Sequence, residues 1–219
     1  QEGDYKQVFG GLAIWVAQVN ETDRLPEYIG RAFRVAMSGR PGPVVLALPE
    51  NILSAQADVP DIQGNPYFDH ARNPGSAEIF VGELQTAKRP LIIVGGPHWC
   101  KKSAEELQNF AASLNIPVAA SFRRQDYFDN RHPNYVGDLN VGINPKLAQR
   151  VRDSDCLLLL GTRFGDINTQ GYSLVSPIRN DKTILHIHAD SGELGKVYGH
   201  ECGWECRADR AVSHLLNVK

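Results

Sequence analysis

Glycines and charged side chains follow directly after three apolar runs of the sequence. Gly95 and Gly96 end PLIIVGG, Arg163 and Asp166 lie in LGTRFGD after the run CLLLL, and Asp190 follows TILHIHA. Glycine lets a phosphate or a ring approach the backbone, arginine binds phosphate, and aspartate accepts a hydrogen bond from a ribose hydroxyl. These residue types at the ends of apolar runs are typical of a nucleotide-type site.

Each of these features also has a plainer interpretation. GGPHWC lacks the G-x-G-x-x-G spacing of dinucleotide-binding proteins, so Gly95 and Gly96 are equally consistent with a tight turn. Arg163 and Asp166 can form an ion pair that only fixes their loop, and such pairs are common and weak. Asp190 can act as the cap of the SGEL segment that follows it.

Histidine and cysteine could in principle ligate a metal. His186 and His188 lie on one side of a predicted strand, but no third ligand stands at a telling spacing, so we expect packed or hydrogen-bonded histidines. CGWEC does not have the C-x-x-C spacing of redox or zinc motifs, and we interpret Cys202 and Cys206 as two reduced thiols.

Composition narrows the class of protein. The 219 residues carry a net charge of −2, and the longest apolar run is far shorter than the ~20 residues of a membrane span. A nucleic-acid partner is disfavoured because no basic excess is present. We therefore expect a soluble, cytoplasmic protein without a nucleic-acid or membrane partner. Because the sequence starts at Gln1 with no signal-peptide pattern, we infer a removed leader or an excised segment.

The first fifty residues predict two helices and a strand. Apolar residues spaced three and four apart predict an amphipathic helix from Tyr5 to Asn20. Thr22 or Asp23 can cap a second helix that ends at Gly39 in a left-handed conformation. The predicted inner face of this helix comprises Ile29, Ala32, Phe33, Ala36 and Met37. PVVLALP, bounded by prolines, predicts a strand that is buried on both sides.

The remainder divides into a linker and a regular domain. Three prolines and the lack of any period predict a linker at residues 54–75. Beyond it, apolar strands alternate with helices predicted at Ser76–Ala87, Ser103–Leu114, Pro145–Arg152 and Asp209–Leu216. This alternation predicts an α/β fold with a doubly wound, mainly parallel Rossmann-like sheet over residues 76–219. The polar, aromatic stretch 121–147 predicts a structured loop at a sheet edge or an interface.

The ordered series SGRPGPVVLALPENIL, RPLIIVGG, IPVAASFRRQDYFDNRHPNYVGDLNVGI, DCLLLLGTRFGD and ILHIHADSGELGK resembles thiamine-diphosphate enzymes of the acetolactate synthase type. The resemblance covers nearly the whole sequence. It implies that residues 1–53, a partial α/β segment, are the C-terminal remnant of a pyrimidine-binding domain, and that residues 76–219 are the central domain that follows. The remaining domains of the same enzyme and a second copy of the chain are the partners that it implies.

The same resemblance implies a chemistry. Enzymes of this family use thiamine diphosphate and Mg²⁺ to decarboxylate a 2-oxo acid and pass the product to an acceptor. It places the catalytic glutamate before Gln1 and the segment that holds magnesium and diphosphate beyond Lys219. We therefore expect a segment of an enzyme that is inactive alone and contributes no catalytic residue.

Relatives in this family carry FAD, ADP or nothing in the central domain. Carried over by position, the cofactor-binding residues are Gly95, Gly96, Arg163, Phe164, Asp166 and Asp190. The sequence departs from the flavin pattern at RFGD, HIHAD and GDLNVGI, which favours a vacant or non-flavin nucleotide site over FAD. Two alternatives remain at this point: a stand-alone module that binds ADP, FAD or NAD, and a sirtuin-like deacetylase, which the lack of zinc-binding cysteine pairs disfavours.

Overall fold

The computed structural model describes residues 3–59, 76–177 and 181–218. The chain forms two compact units, Gln1–Asp69 and His70–Lys219. Residues 60–75, which make up most of the predicted linker, lie outside the described residues, so the proposed domain boundaries stay a prediction. None of the described helices is both long enough and apolar enough to cross a bilayer.

The first unit is a small α/β arrangement around two parallel strands, which pair from Trp15 with Val44 to Gln18 with Ala47. A short 3₁₀ helix, Thr22–Arg24, leads into its long helix. The other elements, in chain order, are α1 (Tyr5–Phe9), β1 (Trp15–Gln18), α2 (Leu25–Met37), β2 (Val44–Ala47) and α3 (Glu50–Ser54).

The predicted single helix from Tyr5 to Asn20 is wrong beyond Phe9. Gly10 and Gly11 follow α1, and glycine disfavours helix because it loses the most backbone freedom on folding. The aromatic and β-branched residues after them gain more from a parallel ladder with β2 than from another turn of helix. The end of α2 is confirmed, since the helix stops at Met37 and Gly39 has a φ of +54°.

The first unit buries less apolar surface than the sequence predicts. All four residues of β2 are half-buried, so the predicted burial on both sides is wrong, because β1 is its one strand partner among the described residues. On the predicted inner face of α2, Ala32 is buried but Phe33 is 66% exposed. Of the twelve exposed large apolar residues in the described part of the chain, eight lie in this unit: Tyr5, Val8, Leu12, Ile14, Ile29, Phe33, Met37 and Leu53. Such exposure is typical of an interaction surface.

The second unit confirms the predicted α/β fold. Its six strands are all parallel and lie in the order β5-β4-β3-β6-β7-β8. Numbered within the unit, this is the 3-2-1-4-5-6 order of a doubly wound Rossmann sheet. Its elements are α4 (Ser76–Thr86), β3 (Pro90–Val94), α5 (Lys101–Leu114), β4 (Val118–Ser121), β5 (Tyr135–Leu139), α6 (Pro145–Asp153), β6 (Cys156–Leu160), α7 (Asp166–Thr169), β7 (Thr183–His188), β8 (Cys202–Glu205) and α8 (Ala208–Leu216).

The two edge strands are the strands of this unit that the sequence did not predict. β5 lies within the stretch that we interpreted as a structured loop, and four of its five residues are half-buried. β8 contains Gly203 and buries Trp204 but not its neighbours. Edge strands have one neighbour and need little apolar surface, so short, polar or glycine-containing segments suffice to form them. The continuous apolar signal marks only the interior strands.

The interior strands are buried on both faces. Along β3, Ile92 and Val94 pack with α4, α5 and α8, whereas Leu91 and Ile93 pack with α6 on the opposite face. β6 alternates in the same way, with Leu158 on the first face. Successive side chains of a strand point to opposite faces, so uninterrupted apolar runs are what a sheet covered on both sides requires.

The backbones after β3 and β6 meet at the centre of the sheet. A Cβ on Gly96 would stand 2.2 Å from the carbonyl oxygen of Gly161, and a Cβ on Gly161 would stand 2.6 Å from that of Gly95. Gly96 and Gly161 also have φ values of +77° and +75°, which disfavour other residues. Both glycines are therefore required by the fold itself.

We predict that Gly96→Ala lowers the free energy of unfolding of the second unit by at least about 2 kcal/mol, because the new methyl group meets backbone and the positive φ is strained. Urea denaturation followed by circular dichroism measures this. The matched control is Gly82→Ala in the middle of α4, where the added Cβ has open space. It should stabilise by about 0.5–1 kcal/mol. Equal unfolding midpoints for Gly96→Ala and the wild type would refute the prediction.

Candidate functional site

The candidate site lies at the carboxyl edge of the six-stranded sheet. β3 and β6 are neighbours here, although the chain visits β4 and β5 between them, so the strand order reverses at this pair. In open α/β sheets, ligands bind outside the carboxyl ends of the strands at this reversal point. The loops after β3, β6 and β7 carry the predicted residues, and the structure brings these loops to one edge.

The loop after β3 is held by protein groups. Its carbonyl oxygens accept hydrogen bonds, at Gly95 from Trp99 Nε1 (2.9 Å) and at Gly96 from the Tyr127 hydroxyl (2.9 Å). The two aromatic rings stack with centroids 5.4 Å apart. A Cβ on Gly95 would stand 2.5 Å from Ser121 Oγ, at the end of β4. The tight-turn interpretation therefore accounts for both glycines, and no ligand is needed to explain them.

Trp99 and Tyr127 are site residues that the sequence analysis missed. Tyr127 lies in the aromatic-rich stretch that we assigned to a structured loop, which was the one available signal. Its role depends on a contact across 31 residues of chain, and no local pattern encodes such a contact.

The loop after β6 presents charge at the surface and hides its aromatic residue. Arg163 and Asp166 are exposed, and among the described residues they form no ion pair with each other. Phe164 is fully buried and packs on Tyr198, with ring centroids 5.4 Å apart. The Phe164 side chain therefore belongs to the core, whereas the Arg163 side chain is open to solvent.

Asp190 acts as a cap. Its Oδ1 accepts a hydrogen bond from the Gly192 N–H at 2.9 Å and so caps the 3₁₀ helix Ser191–Glu193, as the plainer interpretation predicts. Its backbone N–H donates to His188 Nδ1 at 3.1 Å. His188 is 5% exposed, and burial is the main reason that its pKa is lowered. His188, which stands where the flavin pattern has a carboxylate, is thus enclosed by protein.

His186 is a structural histidine. It is 4% exposed, and its Nε2 lies 3.0 Å from the carbonyl oxygen of Thr162, which fixes the N–H on that nitrogen and ties the end of β7 to the loop after β6. Burial, with smaller contributions from the neighbouring His188 and His200, lowers the pKa of His186 to about 4. The packed, hydrogen-bonded alternative for the two strand histidines is therefore confirmed.

Metal ligation finds no support at this edge. In residues 3–59, 76–177 and 181–218, no three histidine, cysteine or acidic side chains come close enough to hold a metal ion. The four cysteines, all of them among the described residues, form no disulfide. Cys202 lies in β8, and Cys206 is buried immediately after it, so both thiols of CGWEC pack near the sheet edge.

The second unit, with its doubly wound sheet and its glycine turns at the reversal point, is similar to a known protein family. Residues 78–215 match the family described as thiamine pyrophosphate enzyme, central domain. The chain belongs to this family. The match covers β3 to β8 and leaves out the first unit.

Curated relatives extend the similarity to the first unit. The chain is 29% identical to the acetolactate synthase large subunit of Corynebacterium glutamicum over 100% of its own length and 35% of that protein. It is 28% identical to the acetolactate synthase isozyme 3 large subunit of Escherichia coli, with 82% of the chain and 32% of that protein covered. A probable acetolactate synthase large subunit of Methanococcus aeolicus is 29% identical over 90% of the chain and 33% of its own length. The chain spans about a third of these relatives.

The buried His186 predicts a pH-dependent stability. Its pKa is depressed in the folded state, so the unfolded state binds more protons between pH 6.5 and 4, and stability falls as the pH falls through that window. We expect His186→Asn to reduce the difference in unfolding free energy between pH 7 and pH 4.5 by about 2 kcal/mol. Urea denaturation at both pH values measures this difference.

The matched control is Ile187→Val on the same strand, which is fully buried and does not titrate. It should cost about 1 kcal/mol equally at both pH values. An unchanged pH dependence in His186→Asn would show that other groups produce it.

Proposed function

We propose that the protein is the central portion of a thiamine-diphosphate- and Mg²⁺-dependent enzyme that acts on 2-oxo acids by decarboxylation and carboligation. The observation that carries the proposal is the similarity to acetolactate synthase large subunits along the whole chain but along only about a third of their length. The family match of residues 78–215 supports the same assignment.

In this proposal the second unit has a structural role. Thiamine diphosphate, when bound, supplies the stabilisation of the carbanion formed on decarboxylation, and the protein positions it. The groups that hold the diphosphate, the magnesium ion and the aminopyrimidine ring lie in other domains of the enzyme. The exposed apolar side chains of the first unit, such as Leu12 and Phe33, support contact with those domains or with a second copy of the chain. We expect a cytoplasmic homo-oligomer.

We predict that the purified 219-residue chain releases no CO₂ from pyruvate above the buffer rate when thiamine diphosphate and Mg²⁺ are present, because the groups that bind the cofactor lie elsewhere. A coupled or manometric assay measures the release. The positive control is the protein translated from the complete gene, which should turn over pyruvate or another 2-oxo acid. Turnover by the 219-residue chain that depends on thiamine diphosphate would contradict the proposal, as would an inactive full-length protein.

We further propose that the carboxyl edge of the sheet binds an ADP-type nucleotide rather than FAD. Gly95, Gly96, Arg163, Asp166 and Asp190 lie on the loops at this edge, and Arg163 offers an exposed guanidinium to a phosphate. Support against the flavin comes from His188, which is buried and bonded to the Asp190 backbone. The Gly96–Gly161 contact closes the cleft at the backbone level, so the nucleotide would bind on the rim.

We predict that ADP binds the chain and that Arg163→Ala weakens it about tenfold or more, because a charge-assisted hydrogen bond to phosphate is lost. Isothermal titration calorimetry measures both affinities, and an absorption spectrum of the purified protein should lack flavin bands. The control is Arg131→Ala, because the Arg131 side chain is 91% exposed and forms an ion pair with Asp129. Equal ADP affinities for the two variants would show that Arg163 does not contact the nucleotide. Flavin absorption bands in the purified protein would show that the site binds FAD instead of ADP.

A further inference from the structure

A cavity of about 440 Å³ opens at the amino edge of the sheet, opposite the candidate site. Pro90 at the start of β3 and Pro117 just before β4 form part of its wall, and residues of α6 form another part. The five-residue β3 separates the two edges by about 16 Å, so this cavity is distinct from the nucleotide site. Its size is within the usual range for small-molecule sites.

Positive charge dominates the cavity. Lys88 and Arg89 enter from the turn before β3, and Lys146 and Arg150 enter from α6. The last two are four residues apart and therefore lie side by side on one helix face. Asp153 is the one carboxylate in the lining, and its Oδ1 already accepts a hydrogen bond from Gln149 at 2.8 Å.

Two carboxylates lie near the four cations, Asp153 in the lining and Asp155 beside Arg89, but neither forms an ion pair with them in the described part of the chain. The side chains of the four cations make no hydrogen bond or ion pair with any described residue. The neighbouring Asp155 is held by the backbone N–H groups of Lys88 and Arg89, both at 2.8 Å. Like charges on one helix face and in one turn repel, and an anion between them would relieve that repulsion.

Helix ends do not explain these cations. Lysine and arginine often lie near helix C-termini because they offset the partial negative charge there. At the end of α6, however, the carbonyl oxygens of Arg152 and Ser154 accept hydrogen bonds from Lys182 Nζ at 2.6 and 2.5 Å. At the end of α5, the N–H of Asn115 bonds to the last-turn carbonyls. Other groups therefore already cap these helices.

We propose that this cavity binds a small phosphorylated molecule that carries at least two phosphate groups. Two guanidinium groups can each bind a phosphate in a bidentate manner, and two ammonium groups add point charges. Four positive charges against one carboxylate match a ligand with a charge of about −3. The proposal does not depend on the proposed nucleotide site, because it concerns different residues at the opposite edge.

The test uses the 219-residue chain and tripolyphosphate in calorimetric titrations at low salt. The wild type should bind tripolyphosphate at least tenfold more tightly than inorganic phosphate, since a single phosphate engages fewer of the cations. The double variant Lys146→Ala/Arg150→Ala should bind tripolyphosphate at least tenfold more weakly. Arg163→Ala removes the phosphate-binding guanidinium of the proposed nucleotide site, so tripolyphosphate binding that persists in Arg163→Ala and is lost in Lys146→Ala/Arg150→Ala/Arg163→Ala belongs to the cavity. Circular dichroism verifies folding, and Arg89→Ala provides a second variant on another element.

The matched control is Lys101→Ala/Lys102→Ala, which also removes two positive charges, from exposed lysines that pair with Glu105 and Glu106 on α5. It should bind tripolyphosphate as the wild type does. No binding at millimolar tripolyphosphate, or equal weakening in both double variants, would overturn the proposal. Tighter binding of an acidic peptide that depends on Lys146 and Arg150 would also overturn it, and would assign the cavity to a protein segment.

Discussion

The backbones of Gly96 and Gly161 touch where the two central strands end, and no side chain can enter that contact. It fixes the height at which β3 and β6 stop relative to each other, so it also fixes where the following loops begin. Ala208, the first residue of α8, packs against the same point, since its Cβ would lie 2.8 Å from one added to Gly161. The positions of α8 and of the loops after β3 and β6 therefore depend on Gly96 and Gly161 having no side chain.

The two edges of the sheet differ in the side chains that they carry. At the carboxyl edge, the loops are bound to one another by aromatic and histidine side chains, such as Tyr127 and His186, that are neutral at pH 7. At the amino edge, prolines begin the strands, and cationic side chains surround an open cavity.

The sequence predicts an element correctly where one physical requirement, such as burial on both faces, determines the residue types. The runs PLIIV and CLLLL are buried on both faces, and almost no other element type fits such a composition. It failed where two demands compete locally. Trp15 and Val16 satisfy both a helical spacing and a strand, and only the partner strand β2, some thirty residues away, decides between them. The site residues on loops were found from their types, but Trp99 and Tyr127 act through contacts that depend on the completed fold.

Helix α8 comes last among the described elements, yet it packs against α4 and α5, which come first in the unit. Ala211, Val212 and Leu215 complete the apolar layer on that face of the sheet. During synthesis the layer therefore stays open to water until residue 216 has left the ribosome, although most of the strands beneath it are already available. The apolar layer on this face can therefore close only once the last helix has been translated.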